Sequence, residues 1–347
     1  MLSRLPLVLT LSSTLAVHAS VVSAQTPAQA LPPPSAKAAA APPWLDGYRE
    51  IAGRLVGAAM VDQFAWRRLA RLTDGIGARL SGSPELTRAI DWALAEMKRD
   101  GLENVHLEPV MVPHWVRGRE SLAIVEPAPH DVVMLGLGDS VGTPQGGVQA
   151  EAIVVRSFDE LDAAASRVRG RIVVFNVPYT TYDATRPYRS DGPSKAAQHG
   201  AVAALVRAVG PAGLRLPHTG ALNYVANAPK IPAAASTTED ADRLQRMSER
   251  GDRIVLKLQM EAHFEADAPS ANVVGEIRGR EKPGEVVVIG GHIDSWDVGA
   301  GASDDGGGIV ATWEALRLIK SPATVKAEEP SQSPAPTPTV LRAENAS

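Results

Sequence analysis

The period of the hydrophobic positions changes along the chain. From near Trp44, apolar residues recur at helical spacing through IAGRLVGAAMVDQFAWRRLARL. A second helix follows with both ends marked. Ser83 can cap it, Pro84 suits its first turn, and Gly101 ends it, while Leu86, Ile90, Leu94 and Met97 form one apolar stripe. ENVHLEPVMV, starting at Glu103, then alternates as a strand does.

From residue 121 to 263 the texture shifts to short apolar runs separated by Gly, Pro and Asp. LAIVEP, VVMLGLG, EAIVVRS, RIVVFNV, VAALVRAV and RIVLKLQM predict strands or short helices. There is no internal repeat, and the block reads as a separate β-rich insert. SANVVGEIRG (residues 270–279) and EVVVI (residues 285–289) then read as two strands joined by the turn-like REKPG. The second of these predicts a buried strand leading into Gly290-Gly291. The fold class expected is α/β: a mixed sheet with flanking helices whose helical start, residues 44–120, lies far upstream of its continuation at residues 264–320.

The chemistry gathers in GGHIDSWDVGAGASDDGGG, which follows that predicted strand. His292 and Asp294 are two residues apart, so extended backbone puts both side chains on one side. A glycine-rich loop then brings Asp304 and Asp305 to the start of an apolar helical pattern at residues 309–319. One imidazole and several carboxylates converging beyond a strand suit zinc. His292 is the natural first ligand, and Asp294 is better placed to orient its ring. Asp304 could bridge two metals. The plainer alternative is that the acidic pair caps a helix and favours its dipole, and Asp305 need do no more than that.

Other site types fit poorly. Position 304 is Asp where a dinucleotide loop needs its third glycine or alanine, Gly301-Ala302-Ser303 lacks the closing glycine of a nucleophile elbow, and there is no HExxH. The remaining histidines, His106, His114, His130, His199, His218 and His263, are scattered and read as structural.

Composition narrows the picture further. The 347 residues can bury a full core and accommodate two domains. A net charge of −4 offers no basic footprint for nucleic acid. With 44% hydrophobic and 21% charged residues the chain is globular in type. The absence of cysteine excludes disulfides, thiolate ligands and a cysteine nucleophile, and argues against a lipoprotein anchor.

Residues 1–24 read as a secretory signal, with Arg4 before an apolar run and Val22-Ser23-Ala24 offering small residues for cleavage before Gln25. That predicts an exported protein, periplasmic or secreted. Residues 25–43 read as an Ala/Pro-rich linker, and residues 321–347 as a disordered tail. No later segment is long and apolar enough to span a membrane.

GGHIDSWDVGAGASDDGGGIVATWEALRLIK closely resembles the metal-site region of the carboxypeptidase Q-like (plasma glutamate carboxypeptidase) metallopeptidases, within the wider di-zinc aminopeptidase and glutamate carboxypeptidase family. DGIGARLSGSPELTRAIDWALAEMKRDGLENVHLEPV and PHWVRGRE resemble that group's N-terminal region, and the β-rich middle resembles its protease-associated insert. The resemblance covers residues 44–320. It implies a zinc exopeptidase acting on dipeptides or short peptides, with two zinc ions and a zinc-exopeptidase-like mixed sheet. It also implies that His292 ligates one zinc, Asp304 bridges both, and Asp294 supports the histidine.

Homodimerisation is an open expectation. Relatives continue to a Glu-Glu pair, the general base and a ligand, then to another Asp and a final His. Glu328-Glu329 comes too soon after Asp304, follows no apolar strand, and is succeeded by proline, and no histidine follows His292. The resemblance therefore predicts a C-terminally truncated relative, with little activity alone or acting as a non-catalytic peptide-binding remnant.

Overall fold

The computed structural model describes residues 43–321. The predicted signal (residues 1–24), nearly all of the linker, and the tail beyond Ser321 lie outside the described residues. The short N-terminal unit, up to Arg49, holds a 3-10 turn at Pro43–Tyr48, in which Arg49 Nε donates to Asp46 at 2.6 Å. The described residues from Glu50 to Ser321 form one compact unit.

Three helices come first: α1 (Arg49–Val61), α2 (Phe64–Gly75) and α3 (Pro84–Arg99). The predicted punctuation of α3 is present. Ser83 Oγ accepts from the Leu86 amide at 3.1 Å, Pro84 stands in the first turn, and Leu86 and Ile90 are buried. Strands β1 (Glu103–Val112), β2 (Trp115–Val116), β3 (Glu120–Glu126), β4 (His130–Val132), β5 (Met134–Gly136) and β6 (Val148–Val155) follow. Next come α4 (Phe158–Ala163), α5 (Ala165–Val168), β7 (Ile172–Phe175), α6 (Tyr182–Ser190), α7 (Gly192–Gln198), β8 (Ala203–Arg207) and β9 (Ala233–Ser236). The chain then runs through α8 (Thr238–Glu249), β10 (Val255–Met260), β11 (His263–Phe264), β12 (Ala268–Glu276) and α9 (Gly307–Lys320).

Eight strands, all between Glu120 and Met260, form one mixed sheet in the order β4-β3-β10-β6-β7-β8-β9-β5. β6 to β9 run parallel, and the other pairings are antiparallel. Its central strands are near-continuous apolar runs because both faces are covered. Ile172 and Val174 of β7 face a core with Leu244 of α8 and Leu256 of β10, while Val173 and Phe175 face another with Leu161, Val168 and Ala196 from α4, α5 and α7. A third, smaller core joins Leu72 of α2, Ala89 and Ala93 of α3, and Ile309 and Trp313 of α9. It packs beside the antiparallel pair β1–β12.

One expectation is corrected. EVVVI forms no strand, and Val286, Val287 and Val288 are 80%, 88% and 87% exposed. β-branched side chains favour extended backbone, but a strand exists only where neighbours complete its hydrogen-bond ladder. No described strand pairs with this segment. The large mixed sheet is consequently not the one expected to carry the motif, and the motif approaches its helix from irregular backbone.

Candidate metal centre

His292 stands between two carboxylates. Its Nδ1 lies 3.1 Å from both the carbonyl and Oδ1 of Asp294, and its Nε2 lies 2.9 Å from Oδ1 of Asp304. Nδ1 thus meets the residue predicted to orient the ring, and Nε2 meets the residue predicted to share a metal. Burial disfavours the charged ring, but the charge of Asp294 and the hydrogen bonds to Asp304 and Asp294 outweigh it, so the His292 pKa is raised. The Asp305 carboxylate accepts from the Gly308 amide at 3.2 Å, near the start of α9, and from the His292 amide at 3.3 Å, so it ties the first turn of that helix to the backbone of His292.

The loop joining Asp294 to Asp304 is fastened residue by residue. Arg79, fully buried, donates to the carbonyls of Ile293 (2.7 Å), Ala300 (2.8 Å) and Gly301 (3.1 Å), and to its neighbour Gly77 (2.6 Å). Ser295 exchanges two bonds with the Arg79 backbone, at 3.0 Å and 2.9 Å. Gly301 has φ +59, and a Cβ there would come within 2.3 Å of Ser295, so the close approach requires glycine. Trp296 stands edge-on to Trp115 at 6.5 Å and lies over Gly138, where an added Cβ would fall 1.9 Å from the indole. Asp297 takes a two-pronged bond from Arg117 at 2.7 and 2.8 Å, and Arg117 also holds the Gly136 carbonyl. The loop is therefore tied both to the segment before α3 and to the edge of the eight-stranded sheet.

These side chains open onto a cavity of about 260 Å³. Leu80, Pro113, Trp115 and Trp296 give it an apolar wall; His292, Asp304 and Asp139 supply polar groups. Sequence reading missed most of these. Arg79 and Asp139 carry no motif of their own, although Gly138, beside Asp139, marks a close backbone approach. His218, read as structural, is electrostatically coupled to Asp304. Burial and then the charge of Arg189 lower its pKa, against the opposing pull of Asp304. Arg189 is itself buried, donating to the Tyr182 hydroxyl at 2.9 Å, with its Nε unpartnered. The histidines His106, His199 and His263 spend ring nitrogens on Asn104, Asp162 and Glu261, in keeping with structural roles.

Nitrogen and carboxylate donors of this kind suit zinc, but their number falls short. Catalytic zinc takes three protein ligands, and among the described residues no group of three or more His, Asp or Glu side chains is gathered to hold an ion. No helix among the described residues is long and apolar enough to cross a membrane.

Similarity searches agree with this picture. Residues 272–332 match the model of peptidase family M28. Carboxypeptidase Q of Mus musculus is 48% identical over 276 residues, covering 79% of this chain and 59% of that protein. The Bos taurus protein of the same name is 52% identical over 256 residues, covering 74% and 54%. The crystal structure of a peptidase M28 precursor from Shewanella amazonensis superposes with a TM-score of 0.76 at 33% identity, covering 80% of this chain and 64% of that one. The loop around His292 thus lies in a segment that matches peptidase family M28, and the chain is carboxypeptidase Q-like over the stretch these proteins share. The chain spans a little over half the length of the curated relatives it matches.

Proposed function

We propose that this chain carries part of the centre of a zinc-dependent exopeptidase, of dipeptidase, carboxypeptidase or aminopeptidase type, acting on short peptides. The observation that supports it most is the placing of His292 between Asp294 and Asp304 at the mouth of an apolar-walled cavity. In this reading His292 and Asp304 hold metal, and Asp294 fixes the ring through Nδ1. Zinc there supplies Lewis acidity toward a peptide carbonyl and an activated water. The chain's own residues do the rest: Arg79 and Arg117 hold the loop in shape, and the Trp115–Trp296 wall excludes water from one side of the cavity.

The reading takes in the eight-stranded sheet as a protease-associated-type insert, supported by its own two-sided core, and export through the N-terminal segment. Because, among the described residues, His292 and Asp304 are too few to hold zinc firmly and no general base is identifiable, little turnover is expected from this chain by itself. The second reading, a non-catalytic peptide-binding module, is favoured by the same shortage of gathered ligands.

Zinc titration of the purified chain tests the ligand assignment. His292→Ala and Asp304→Asn are each expected to weaken zinc binding about ten-fold or more, with Asp294→Asn acting in the same direction. Unchanged zinc affinity in the first two variants would remove the assignment. Chelator-sensitive dipeptide hydrolysis by this chain, restored by zinc, would decide for catalysis over the binding module.

A further inference from the structure

Asp139 is the charged group in the cavity that the metal reading leaves unused. It follows β5 in the sequence Leu137-Gly138-Asp139-Ser140, with left-handed backbone at φ +67. Both neighbours are locked. Gly138 donates to the Gly220 carbonyl at 3.1 Å and accepts from Leu222 at 3.1 Å. Ser140 Oγ accepts from the Ala233 amide at 2.9 Å, and the Ser140 carbonyl accepts from the Trp115 indole at 2.9 Å. The Asp139 carboxylate is therefore presented from rigid backbone. It is half-buried, and among the described residues it has no hydrogen-bond donor and no ion pair. Burial pushes its pKa up, the mark of a carboxylate short of compensation.

A partly buried charge without a partner costs stability unless a ligand supplies the partner. A metal ion is a poor candidate, because hard cations need several oxygen donors and, among the described residues, no such group is gathered around Asp139. An organic ammonium needs less. It takes one carboxylate and tolerates apolar or aromatic walls, and Trp115, Trp296, Leu80 and Pro113 stand in the same cavity.

We infer that Asp139 is a specificity-determining residue that binds a substrate ammonium group in the cavity beside His292 and Asp304. The inference rests on the peptidase reading and deepens it by naming a cationic peptide as the preferred class. The ammonium belongs either to the free N-terminus or to a lysine side chain, and the test separates them.

The experiment measures peptide binding by the full 347-residue chain in chelator, so that it does not depend on turnover. One pair is Phe-Ala against N-acetyl-Phe-Ala; the other is N-acetyl-lysyl-alanine against N-acetyl-norleucyl-alanine. The wild-type chain is expected to prefer the cationic member of one pair about ten-fold or more, as a charge-assisted hydrogen bond provides. Preference within the first pair identifies the α-ammonium, and within the second the side chain. Asp139→Asn should erase that preference, and Asp139→Gly, which suits the left-handed backbone, should do the same.

No preference in either pair, a preference surviving in both variants, or no binding of any of the four would each overturn the inference. So would a ten-fold loss of zinc affinity in Asp139→Asn, which would make the carboxylate a metal ligand. Failure of zinc-restored hydrolysis, with the preference intact, would count against the peptidase reading and leave the role of Asp139 standing.

Discussion

Two four-residue runs in this molecule are nearly the same in composition and opposite in fate. Ile172-Val173-Val174-Phe175 is β7, wholly buried between β6 and β8 with a core on each face. Val286-Val287-Val288-Ile289 lies beside the metal motif, pairs with nothing described, and leaves its valines 80–88% exposed. Side-chain chemistry alone cannot separate them. The difference lies in long-range partners: β7 sits between two parallel neighbours, and the second run has none. Apolar exposure of this extent marks a surface suited to being covered.

Truncation gives the largest expected effect and breaks the comparison if it fails. Ile172→Ala removes a fully buried side chain and should cost about 2–5 kcal/mol. Val287→Ala acts at an exposed position and should stay within about 0.5 kcal/mol. Urea unfolding of the two variants reads both values. Similar losses at both positions would show that residues 286–289 are packed in solution.

The same contrast explains what the sequence disclosed. Helix α3 was legible because its signals are local: Ser83, Pro84 and Gly101 act within a few residues of themselves. Most strands from β3 to β10 were legible as apolar runs, but the alanine strand β9 was not, and neither were the helices on the sheet's second face, because α4, α5 and α7 are short and their caps resemble loops. His292, Asp294 and Asp304 could be read because their spacing is itself the motif. Arg79, Arg117 and Asp139 could not, since Arg79 and Arg117 act across more than 70 residues of chain and Asp139 has no hydrogen-bonding or ionic partner among the described residues. Register and distant carbonyls leave no mark on local pattern.

The second prediction sharpens the comparison from the irregular side. The loop near the exposed valines is nonetheless held in place, and Arg79 is the means. Lysine keeps the charge, but one ammonium cannot serve four carbonyls fixed around a planar fork. Arg79→Lys should therefore loosen the loop by about 1–3 kcal/mol, the cost of leaving buried acceptors unmade. Amide exchange reads this locally. The Ser295 amide, bonded to the Arg79 carbonyl at 2.9 Å, should exchange about ten-fold faster or more, while amides of β7 and β8 hold their rates. Equal acceleration in both places would mean that Arg79 supports the whole fold rather than the loop.

The smallest effect tests the joint between the two regions. Glu120 of β3 accepts from the Gly136 amide at 3.0 Å and faces Arg117, which in turn grips Asp297 of the loop. Burial raises the Glu120 pKa. Arg117 and the Gly136 amide pull it down without prevailing, and Asp297 adds to the rise. The folded chain therefore holds this proton more tightly than the unfolded chain does. Between the ordinary glutamate value and the raised one, the folded state binds more protons, so this group's contribution to stability falls as pH increases across that interval. Below the interval both states are protonated and the contribution is complete; above it the decline has ended. Glu120→Gln retains an acceptor for Gly136 and abolishes the titration. Stability measured against pH should thus show wild type losing ground to the variant as pH rises through that interval, with a constant difference on either side. A slope of the opposite sign would mean that Arg117 outweighs burial, and that the joint is held by its ion pairs.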